Sequence, residues 1–504
     1  MGRISFQSPG DRLASLSVFH CLVCGLFLAV LGLPCAQAND PNSWTPPRWD
    51  AAFPGLEVNG PVLASLYFEG ELVIAGNFTR VDGQTVNRIA RWNGEEWFTF
   101  SGPDGIGMNG RVNTLHIHDG ALIAGGTFTT AGGEIANRVA RWDGQKWAGL
   151  TGSAGTGVSG DGVDGVRALA SYAGDLVVAG RFMQAGGVTV NNIARWDGQE
   201  WSALAGPNSV GTNEVASVAA LTVYDSDLIA GGFFSEMGGL TVNNIARWNG
   251  EAWAPILGPG TIGINASPDV LLVEGNDLYA GGGLGVSRWN GNEWSELADE
   301  NGNGIRAGRV FALRRFAGDL VAGGSFIQVG TALAPYTARW DGQRWTGLGV
   351  ANSVRLYNEV YTFNLINGEL VAGGVFTQAG DSPAQRLAQW RREPTETEAV
   401  FISRVEAQPG QGVLVVALVQ GLSNTPEGGS RARIEADSGE SCDARVTPAG
   451  SSVAVFSCEI VLESPGIRSL TASYTGSAFF AASHSGLLTV EVSETIFQDR
   501  FDAQ

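Results

Sequence analysis

The feature that most constrains this chain is a short segment that recurs seven times. The segment has the form Leu-Val-Ala-Gly-Gly-x-Phe, and its copies span Leu72–Phe78, Leu122–Phe128, Leu176–Phe182, Leu228–Phe234, Leu278–Leu284, Leu320–Phe326 and Leu370–Phe376. After most copies come a glycine-rich turn and then the motif Asn-x-Ile-Ala-Arg-Trp-Asp-Gly-x-x-Trp. The first Trp of that motif recurs as Trp92, Trp142, Trp196, Trp248, Trp289, Trp340 and Trp390. A period of about 50 residues indicates a repeat architecture.

Each repeat unit divides into four short strands. In the third unit they are predicted at Val166–Leu169, Leu176–Phe182, Asn192–Trp196 and Trp201–Leu204, because apolar runs alternate there with turn signals. An Asp-Gly or Asn-Gly pair before the second Trp is typical of a tight hairpin. Four antiparallel strands repeated in this way predict a β-propeller, since a solenoid would need capping repeats that the sequence does not show.

The two ends of the repeat region predict that the ring closes. The segment Trp49–Gly55 aligns with the fourth strand of a unit, Trp97–Gly102, and has no first three strands ahead of it. The seventh unit lacks the second Trp after Trp390. An N-terminal strand that completes the last blade leaves no unpaired sheet edge. The sequence therefore predicts an all-β fold with a seven-bladed β-propeller over residues 39–392.

The recurring glycines and tryptophans are predicted to serve packing. The Gly-Gly doublet permits backbone conformations that are barred to other residues, and it allows strands to approach closely. The two Trp residues of each unit are expected to pack between neighbouring blades.

These motifs resemble the bacterial secreted propeller repeats related to kelch and to the fungal Rax-type cortical polarity marker. The Gly-Gly doublet that ends the second strand and the Trp-bearing later strands carry the resemblance, which covers roughly residues 44–392. The resemblance implies a propeller fold. It implies little about function, because such propellers mostly display binding surfaces.

The pattern changes after a polar linker at residues 393–398. Alternating strands follow, and the clearest are Val413–Val419, Ala432–Glu435, Val453–Ile460 and Leu470–Tyr474. The segment Thr471–Ser483 resembles the end of bacterial immunoglobulin-like repeats, which implies an antiparallel β-sandwich over residues 399–494.

The cysteine and N-terminal patterns predict export. Arg3 and Arg12 precede an apolar run, Val18–Leu33, and then the small-residue cleavage site Ala36-Gln37-Ala38, so residues 1–38 are predicted to be a signal peptide. A retained anchor is the alternative, but the run is short for a membrane span. Without a span, the mature chain is expected to be secreted, periplasmic or held at the bacterial cell surface, with no stable membrane insertion.

Three of the five cysteines leave with the signal peptide. Cys442 and Cys458 remain, and in an oxidising compartment they predict one disulfide. They are expected to lie almost opposite each other on either side of a hairpin that turns near Thr447–Ser452.

The tail at residues 495–504 is a separate feature. Its stretch Ile496–Asp502 resembles a terminal sequence common on exported proteins of xanthomonad-type bacteria. It is either a sorting tag or a final strand.

Charge and motifs exclude several classes of function. The formal net charge is −19, and one lysine, Lys146, stands among 31 basic residues, which argues against a nucleic-acid partner. No Gly-x-Ser-x-Gly elbow, Walker loop or His-Glu-x-x-His motif is present. No catalytic residue, cofactor or metal site is therefore expected.

Two weak metal candidates were weighed against structural alternatives. His116 and His118 share one face of a strand, but no third ligand is evident, so exposed polar residues are favoured. The stretch Asp299–Gly304 matches the first half of a calcium loop but has Val310 where Glu is needed, so an ordinary polar turn is favoured.

Two further features break or follow the repeat. An Arg precedes the first Trp in six units, which suggests either an anion-binding ring or arginines that stack on an aromatic ring of a neighbouring blade or cap its turn; the second is favoured. The fifth unit is short, because Gly281–Trp289 lacks the loop between the second and third strands. That deletion is either a groove for a ligand or a tolerated change in a surface loop, and the latter is favoured.

Together these features predict a binding or scaffold protein. Its propeller loops would engage an unknown protein or glycan ligand, and the protein is expected to be a monomer without enzymatic activity. The alternative is an extracellular polysaccharide hydrolase or lyase with carboxylates at the propeller funnel. Two convergent carboxylates with shifted pKa values in the funnel would favour that alternative.

Overall fold

The computed structural model describes most of the chain from residue 48 to residue 492. The described ranges are 48–53, 55–102, 105–160, 165–213, 216–349, 355–366, 368–392, 395–402, 406–407, 411–421, 431–448, 453–463, 466–474, 483–485 and 488–492. The predicted signal peptide and the C-terminal tail lie outside them. Throughout these ranges the regular elements are β-strands, with no helix. Contacts divide the chain into one unit over Pro47–Arg392 and a second that contains Glu393–Gln504.

Seven four-stranded antiparallel sheets follow one another within Pro47–Arg392. We number them 1 to 7 in chain order and call their strands first to fourth. From first to fourth, the strands are Val62–Phe68, Glu71–Gly76, Ile89–Trp92 and Trp97–Thr99 in sheet 1; Val112–His118, Ala121–Gly126, Val139–Trp142 and Trp147–Gly149 in sheet 2; and Gly165–Tyr172, Asp175–Arg181, Ile193–Trp196 and Trp201–Ala203 in sheet 3. They are Ser217–Tyr224, Asp227–Phe233, Ile245–Trp248 and Trp253–Pro255 in sheet 4; and Pro268–Glu274, Asp277–Gly282, Gly285–Trp289 and Trp294–Glu296 in sheet 5. They are Val310–Phe316, Asp319–Gly324, Thr337–Trp340 and Trp345–Gly347 in sheet 6; and Val360–Ile366, Glu369–Gly374, Leu387–Arg391 and Arg48–Ala51 in sheet 7.

Short hairpins connect the second and third strands in every sheet except sheet 5. Their strand pairs are Arg80–Val81 with Gln84–Thr85, Thr130–Ala131 with Glu134–Ile135, Gln184–Ala185 with Val188–Thr189, Glu236–Met237 with Leu240–Thr241, Gln328–Val329 with Ala332–Leu333, and Gln378–Ala379 with Ser382–Pro383. Further short strands lie between sheets, at Ser101–Gly102, Gly105–Ile106, Thr151–Gly152, Gly155–Thr156, Val158–Ser159, Leu257–Gly258, Thr261–Ile262 and Ile305–Arg306.

The first strands contact one another in series. Each first strand packs against that of the next sheet, and the first strand of sheet 1 also packs against that of sheet 7. The N-terminal strand pairs antiparallel with Leu387–Arg391, so it supplies the fourth strand of sheet 7. Its Trp49 is fully buried and donates from Nε1 to the carbonyl oxygen of Leu348 in sheet 6, at 3.1 Å.

The tryptophan pairs join strands within a sheet and also join neighbouring sheets. In the register the first and second Trp of a unit face each other across the third and fourth strands, as Trp248 and Trp253 do in sheet 4. The Nε1 group of Trp253 donates to the carbonyl oxygen of Leu204 in sheet 3, at 2.9 Å. The equivalent bond occurs for Trp201 to Leu150, Trp345 to Leu297 and Trp49 to Leu348. The packing between neighbouring units that the sequence predicted is therefore observed.

The Gly-Gly doublets recur because the backbone of the neighbouring first strand lies too close to admit a side chain. The second glycine ends the second strand in sheets 2, 5, 6 and 7. A Cβ there would lie 2.0 Å from the carbonyl oxygen of Arg111 at Gly126 and 1.9 Å from that of Arg309 at Gly324. Neither glycine has a φ in the left-handed region. The expectation of unusual backbone conformations was wrong for these doublets, and the expectation of close strand approach was correct.

The second unit consists of two further sheets. One has the strands Thr395–Ile402, Gln411–Gly421, Val453–Leu462 and Thr447–Pro448; the other has Glu406–Ala407, Leu488–Val492, Gly466–Tyr474, Arg431–Ala436 and Ser441–Arg445, with Ser483–His484 paired to Gly466–Tyr474. Their facing side chains form one core, to which Val415 and Phe456 contribute from the first sheet and Ile434 and Leu470 from the second.

The predicted disulfide joins Cys442 to Cys458, but across the two sheets of this unit. Cys442 lies on Ser441–Arg445 of one sheet, and Cys458 lies on Val453–Leu462 of the other. The expected hairpin is present, because Thr447–Pro448 pairs antiparallel with Val453–Leu462. The cysteines do not face each other across it, however, since Cys442 precedes the point after Arg445 at which the chain crosses from one sheet to the other. The bond therefore ties the two layers of the core together.

Candidate functional site

Every first strand of sheets 1 to 7 carries a β-bulge near its start. In sheet 2 the pairing register passes from Val112 directly to Thr114 and skips Asn113. The same shift occurs in all seven sheets. The residues at this position, which we call the bulge residues, are Leu63, Asn113, Arg167, Ala219, Asp269, Phe311 and Tyr361.

The bulge is linked to the second glycine of the doublet. The carbonyl group that crowds Gly126 belongs to Arg111, two residues before the bulge residue Asn113. A side chain at Gly126 would therefore collide with the bulged strand. The recurring glycine thus makes room for a distortion that turns one side chain away from the ladder, which is a common role of bulges at binding sites.

The residue type at the bulge position varies, although the positions on either side of it are nearly constant. Valine precedes it in most units and Ala or Thr follows it in most, yet the seven bulge residues are of seven different types. The sequence analysis did not identify this position, because it relied on the residues that repeat from unit to unit, and the bulge residue differs in each. The available signal was the middle residue of each Val-x-Ala segment.

Bulge residues from different sheets meet. The Nη2 atom of Arg167 in sheet 3 lies 3.4 Å from Oδ1 of Asp269 in sheet 5, although sheet 4 lies between these sheets in the series. Sheet 4 has the small residue Ala219 at its bulge. A contact that passes over a whole sheet is possible because the bulge residues face a common space.

Asp269 is held from a second side by Arg309 of sheet 6. Both Nε and Nη2 of Arg309 lie 2.6 Å from Oδ2 of Asp269. The Asp269 side chain is 8% exposed, against 36% for Arg167 and 43% for Arg309. Burial raises the pKa of the Asp269 carboxyl, and the charges of Arg309 and Arg167 act in the opposite direction. We call Arg167, Asp269 and Arg309 the charged cluster.

Aromatic rings from sheets 6 and 7 belong to the same site. The rings of Phe311 and Tyr361 are stacked, with centroids 5.0 Å apart. The hydroxyl of Tyr361 donates to the carboxylate of Glu359. Burial and this interaction with Glu359 raise the pKa of the Tyr361 phenol, and the positive charge of Arg111 opposes the shift. Arg111 belongs to sheet 2, so its effect on Tyr361 again reaches past a neighbouring sheet.

Five of the six arginines that precede the first Trp form ion pairs within their own sheets. Arg195 pairs with Asp175 at 3.3 Å and Arg339 with Asp319 at 2.7 Å, in each case with the acidic residue that begins the second strand. Equivalent pairs join Arg91 to Glu71, Arg247 to Asp227 and Arg288 to Asp277. For these five the anion-binding ring was wrong, because each guanidinium group is already paired. Arg91 also lies over Phe98 and Phe100, but both rings belong to its own unit and not to a neighbouring one.

His116 and His118 meet at a serine of the next sheet. His116 Nε2 and His118 Nδ1 each lie 2.9 Å from Oγ of Ser171. Burial, and then the neighbouring His118, lower the pKa of His116. The expected exposed position was wrong for His118, which is buried. The pair contributes a polar contact between sheets 2 and 3.

In the stretch Asp299–Gly304, which matches half of a calcium loop, the Asp299 carboxylate accepts hydrogen bonds from residues of the same turn. Oδ1 of Asp299 accepts backbone N–H groups of Asn301 and Asn303, and Oδ2 accepts from the Asn303 side chain, each at 2.9 Å. These bonds lower the pKa of Asp299. They are the pattern of a polar turn. In the described ranges, no group of three or more His, Cys, Asp or Glu side chains is placed to hold a metal ion.

Comparisons with known proteins bear on the fold. The model of a β-propeller domain of unknown function, DUF5122, matches residues 70–94, which include the whole of the second and third strands of sheet 1. No curated protein is significantly similar to the chain. Among solved structures, a fungal alcohol oxidase of the AA5 family in complex with copper is similar to 89% of this chain and 100% of its own, with 12% identity and a TM-score of 0.36. In the part of the chain that the structure describes, no helix is long and apolar enough to cross a membrane. The predicted all-β class and β-propeller are confirmed.

Proposed function

We propose that this chain is an exported binding protein built from a seven-bladed β-propeller and a C-terminal immunoglobulin-like β-sandwich. Seven four-stranded sheets, the strand Arg48–Ala51 in sheet 7 and the contact between sheets 1 and 7 support the closed propeller. Two sheets around one core support the sandwich. The predicted signal peptide at residues 1–38 supports export.

The ligand site is the space that the bulge residues face. The observation that carries this assignment is the Arg167–Asp269 contact between sheets 3 and 5, which shows side chains converging from sheets that do not adjoin. A site of this kind combines a rigid repeated frame with positions that vary freely. It offers aromatic surface at Phe311 and Tyr361 and a few placed charges, which is the usual composition of a ligand pocket.

The charged groups of the site favour binding over hydrolysis. A glycosidase needs two carboxylates that flank one sugar bond. Asp269 is already engaged by two guanidinium groups, and Glu359 accepts from the Tyr361 hydroxyl. Carboxylates that are already hydrogen-bonded to arginine or tyrosine fix the orientation of those side chains for a ligand, and they are poorly placed to exchange protons with it.

A glycan array together with binding assays on surface proteins tests the proposal. We expect the purified full chain to bind a defined ligand, and we expect the double variant Phe311→Ala, Tyr361→Ala to weaken that binding. The control is Leu333→Ser, which changes a side chain that is 71% exposed on the hairpin of sheet 6. A ligand whose binding survives the double variant but not the control would move the site to the outer rim. Saturating assays that detect no ligand would overturn the binding function itself.

A further inference from the structure

The short fifth unit opens the propeller beside the charged cluster. In sheet 5, Gly282 pairs with Gly285, so Gly283 and Leu284 alone connect the second and third strands. The other six sheets carry a two-stranded hairpin at this place. The deletion that the sequence showed in the fifth unit therefore removes one hairpin from one face of the ring.

Arg309 lies where that hairpin is missing. A Cβ built on Gly283 would be 3.5 Å from Nη1 of Arg309. The Arg309 side chain is 43% exposed, whereas the carboxylate it clamps is almost fully buried. One edge of the guanidinium group therefore contacts the buried Asp269 carboxylate, and the side that faces the missing hairpin is exposed to solvent.

The geometry leaves donors of Arg309 directed at that gap. A guanidinium group has five N–H donors in a planar fork. Nε and Nη2 donate to Asp269, which fixes the plane of the fork, while Nη1 lies nearest to Gly283. A planar fork with one edge engaged can bind an oxyanion with the other.

The local charge favours an anion. Arg167 and Arg309 face the single carboxylate of Asp269, so the charged cluster is positive by one unit. The chain as a whole has a net charge of −19. An extended acidic protein surface would be repelled by the rest of the molecule, whereas a compact ligand with one carboxylate meets the positive cluster and, beside Tyr361, the opposite charges of Glu359 and Arg111.

Aromatic surface stands next to the charge. Phe311 follows Arg309 by two residues, at the bulge near the start of the first strand of sheet 6, and stacks on Tyr361. Aromatic faces provide apolar contact for the C–H groups of a sugar ring.

From this arrangement we infer that the site binds an oligosaccharide containing a uronic acid. The uronate carboxylate enters over the Gly283–Leu284 turn and accepts hydrogen bonds from Arg309, and the sugar ring contacts Phe311 and Tyr361. The inference rests on the proposed binding function and names its ligand class.

Titration calorimetry with trigalacturonate and its carboxyl-reduced form tests the inference. We expect the acid to bind and the reduced form to bind at least about tenfold more weakly, the loss expected for a charge-assisted hydrogen bond. Arg309→Gln is expected to weaken binding of the acid to the same extent. The matched control is Arg314→Gln, a change on the first strand of sheet 6 that should leave affinity unchanged.

A second variant tests the inference independently, in case the Arg309→Gln protein does not fold. Replacing Gly283–Leu284 by residues 325–336, the hairpin segment of sheet 6, should fill the gap and abolish uronate binding while Arg309 remains. Equal binding of the acid and its reduced form, or full affinity in both variants, overturns the inference. Preference for a polyglutamate peptide also overturns it, in favour of an acidic protein partner. If another ligand binds and depends on Phe311 and Tyr361, the inference fails while the proposed function stands; if nothing binds, both fail.

Discussion

Arg167 of sheet 3 lies 3.4 Å from the carboxylate of Asp269 in sheet 5, and the two residues are separated by the whole of sheet 4. Both are bulge residues, so both occupy a position at which the seven units carry seven different residue types. Their contact shows how a symmetric frame produces an asymmetric site. The bulge residue of sheet 4, which lies between them in the series, is the small Ala219.

The first prediction concerns the tryptophan bonds between sheets. Trp253→Phe removes the hydrogen bond to the Leu204 carbonyl and is expected to lower the free energy of unfolding by about 1–3 kcal/mol, because a buried acceptor loses its partner. Urea unfolding followed by Trp fluorescence measures it. Fourteen of the 15 tryptophans lie within Pro47–Arg392, so the signal reports mainly the first unit.

Trp147→Phe is the matched control. Trp147 is as deeply buried as Trp253, but its Nε1 group has no hydrogen-bond partner in the structure. The truncation should therefore cost less at Trp147 than at Trp253. Equal losses would mean that packing alone sets the stability of these positions.

The second prediction concerns the glycine beneath the bulge. Gly324→Ala would place a Cβ 1.9 Å from the carbonyl oxygen of Arg309. We expect a loss of about 1–3 kcal/mol in unfolding free energy, because backbone must shift to admit the methyl group. At Gly283 the nearest atom is 3.5 Å away, so Gly283→Ala should change stability by less than about 0.5 kcal/mol. Thermal unfolding that ranks the two variants in the opposite order would refute the link between glycine and bulge.

The third prediction separates buried from exposed ion pairs of the same type. The Asp319 and Arg339 side chains are 14% and 10% exposed, and burial raises the pKa of Asp319 in spite of Arg339. Asp319→Ala should cost about 3 kcal/mol, because it removes the carboxylate that accepts from a buried guanidinium. Asp175→Ala breaks a pair whose arginine is 46% exposed, and less than about 1 kcal/mol is expected. Chemical denaturation of both variants decides the matter; similar losses would count against burial as the cause.

The fourth prediction is a pH dependence at His116. Burial and His118 lower the pKa of His116 below its usual 6.5, so the unfolded chain binds a proton more readily than the folded one. The stability contributed by neutral His116 is complete above pH 6.5 and is lost as the pH falls below that value. Sheet 1 has Leu66 at the equivalent position, which suggests the variant His116→Leu.

Unfolding curves between pH 7.5 and about 5 compare the two proteins. The stability of the wild-type chain relative to His116→Leu should fall steadily below pH 6.5. A difference that stays constant over this range would show that His116 keeps an ordinary pKa in the folded protein.

Much of the fold was predictable because the repeat states it seven times. The third unit illustrates this: its predicted strands at Leu176–Phe182 and Trp201–Leu204 correspond to Asp175–Arg181 and Trp201–Ala203. The predicted ends differ from the observed ones by one residue: pairing with the first strand ends at Arg181, beyond the bulge, so Phe182 is outside the strand. The ion pairs of the Arg-Trp motif were missed, although an acidic residue begins the second strand in most units.

The sequence by itself determined the local frame of this protein. Period, turn residues, Gly-Gly doublets and paired tryptophans each act within about 50 residues, and they specify four strands and the way one unit meets the next. Tertiary structure alone decided which side chains share a site. Arg167, Asp269 and Arg309 lie up to 142 positions apart in the chain, and only the packing of successive sheets brings their charges together. In the second unit the pairing of strands into two sheets likewise set the Cys442–Cys458 bond across two layers, because pairing between distant strands depends on the fold and not on local spacing.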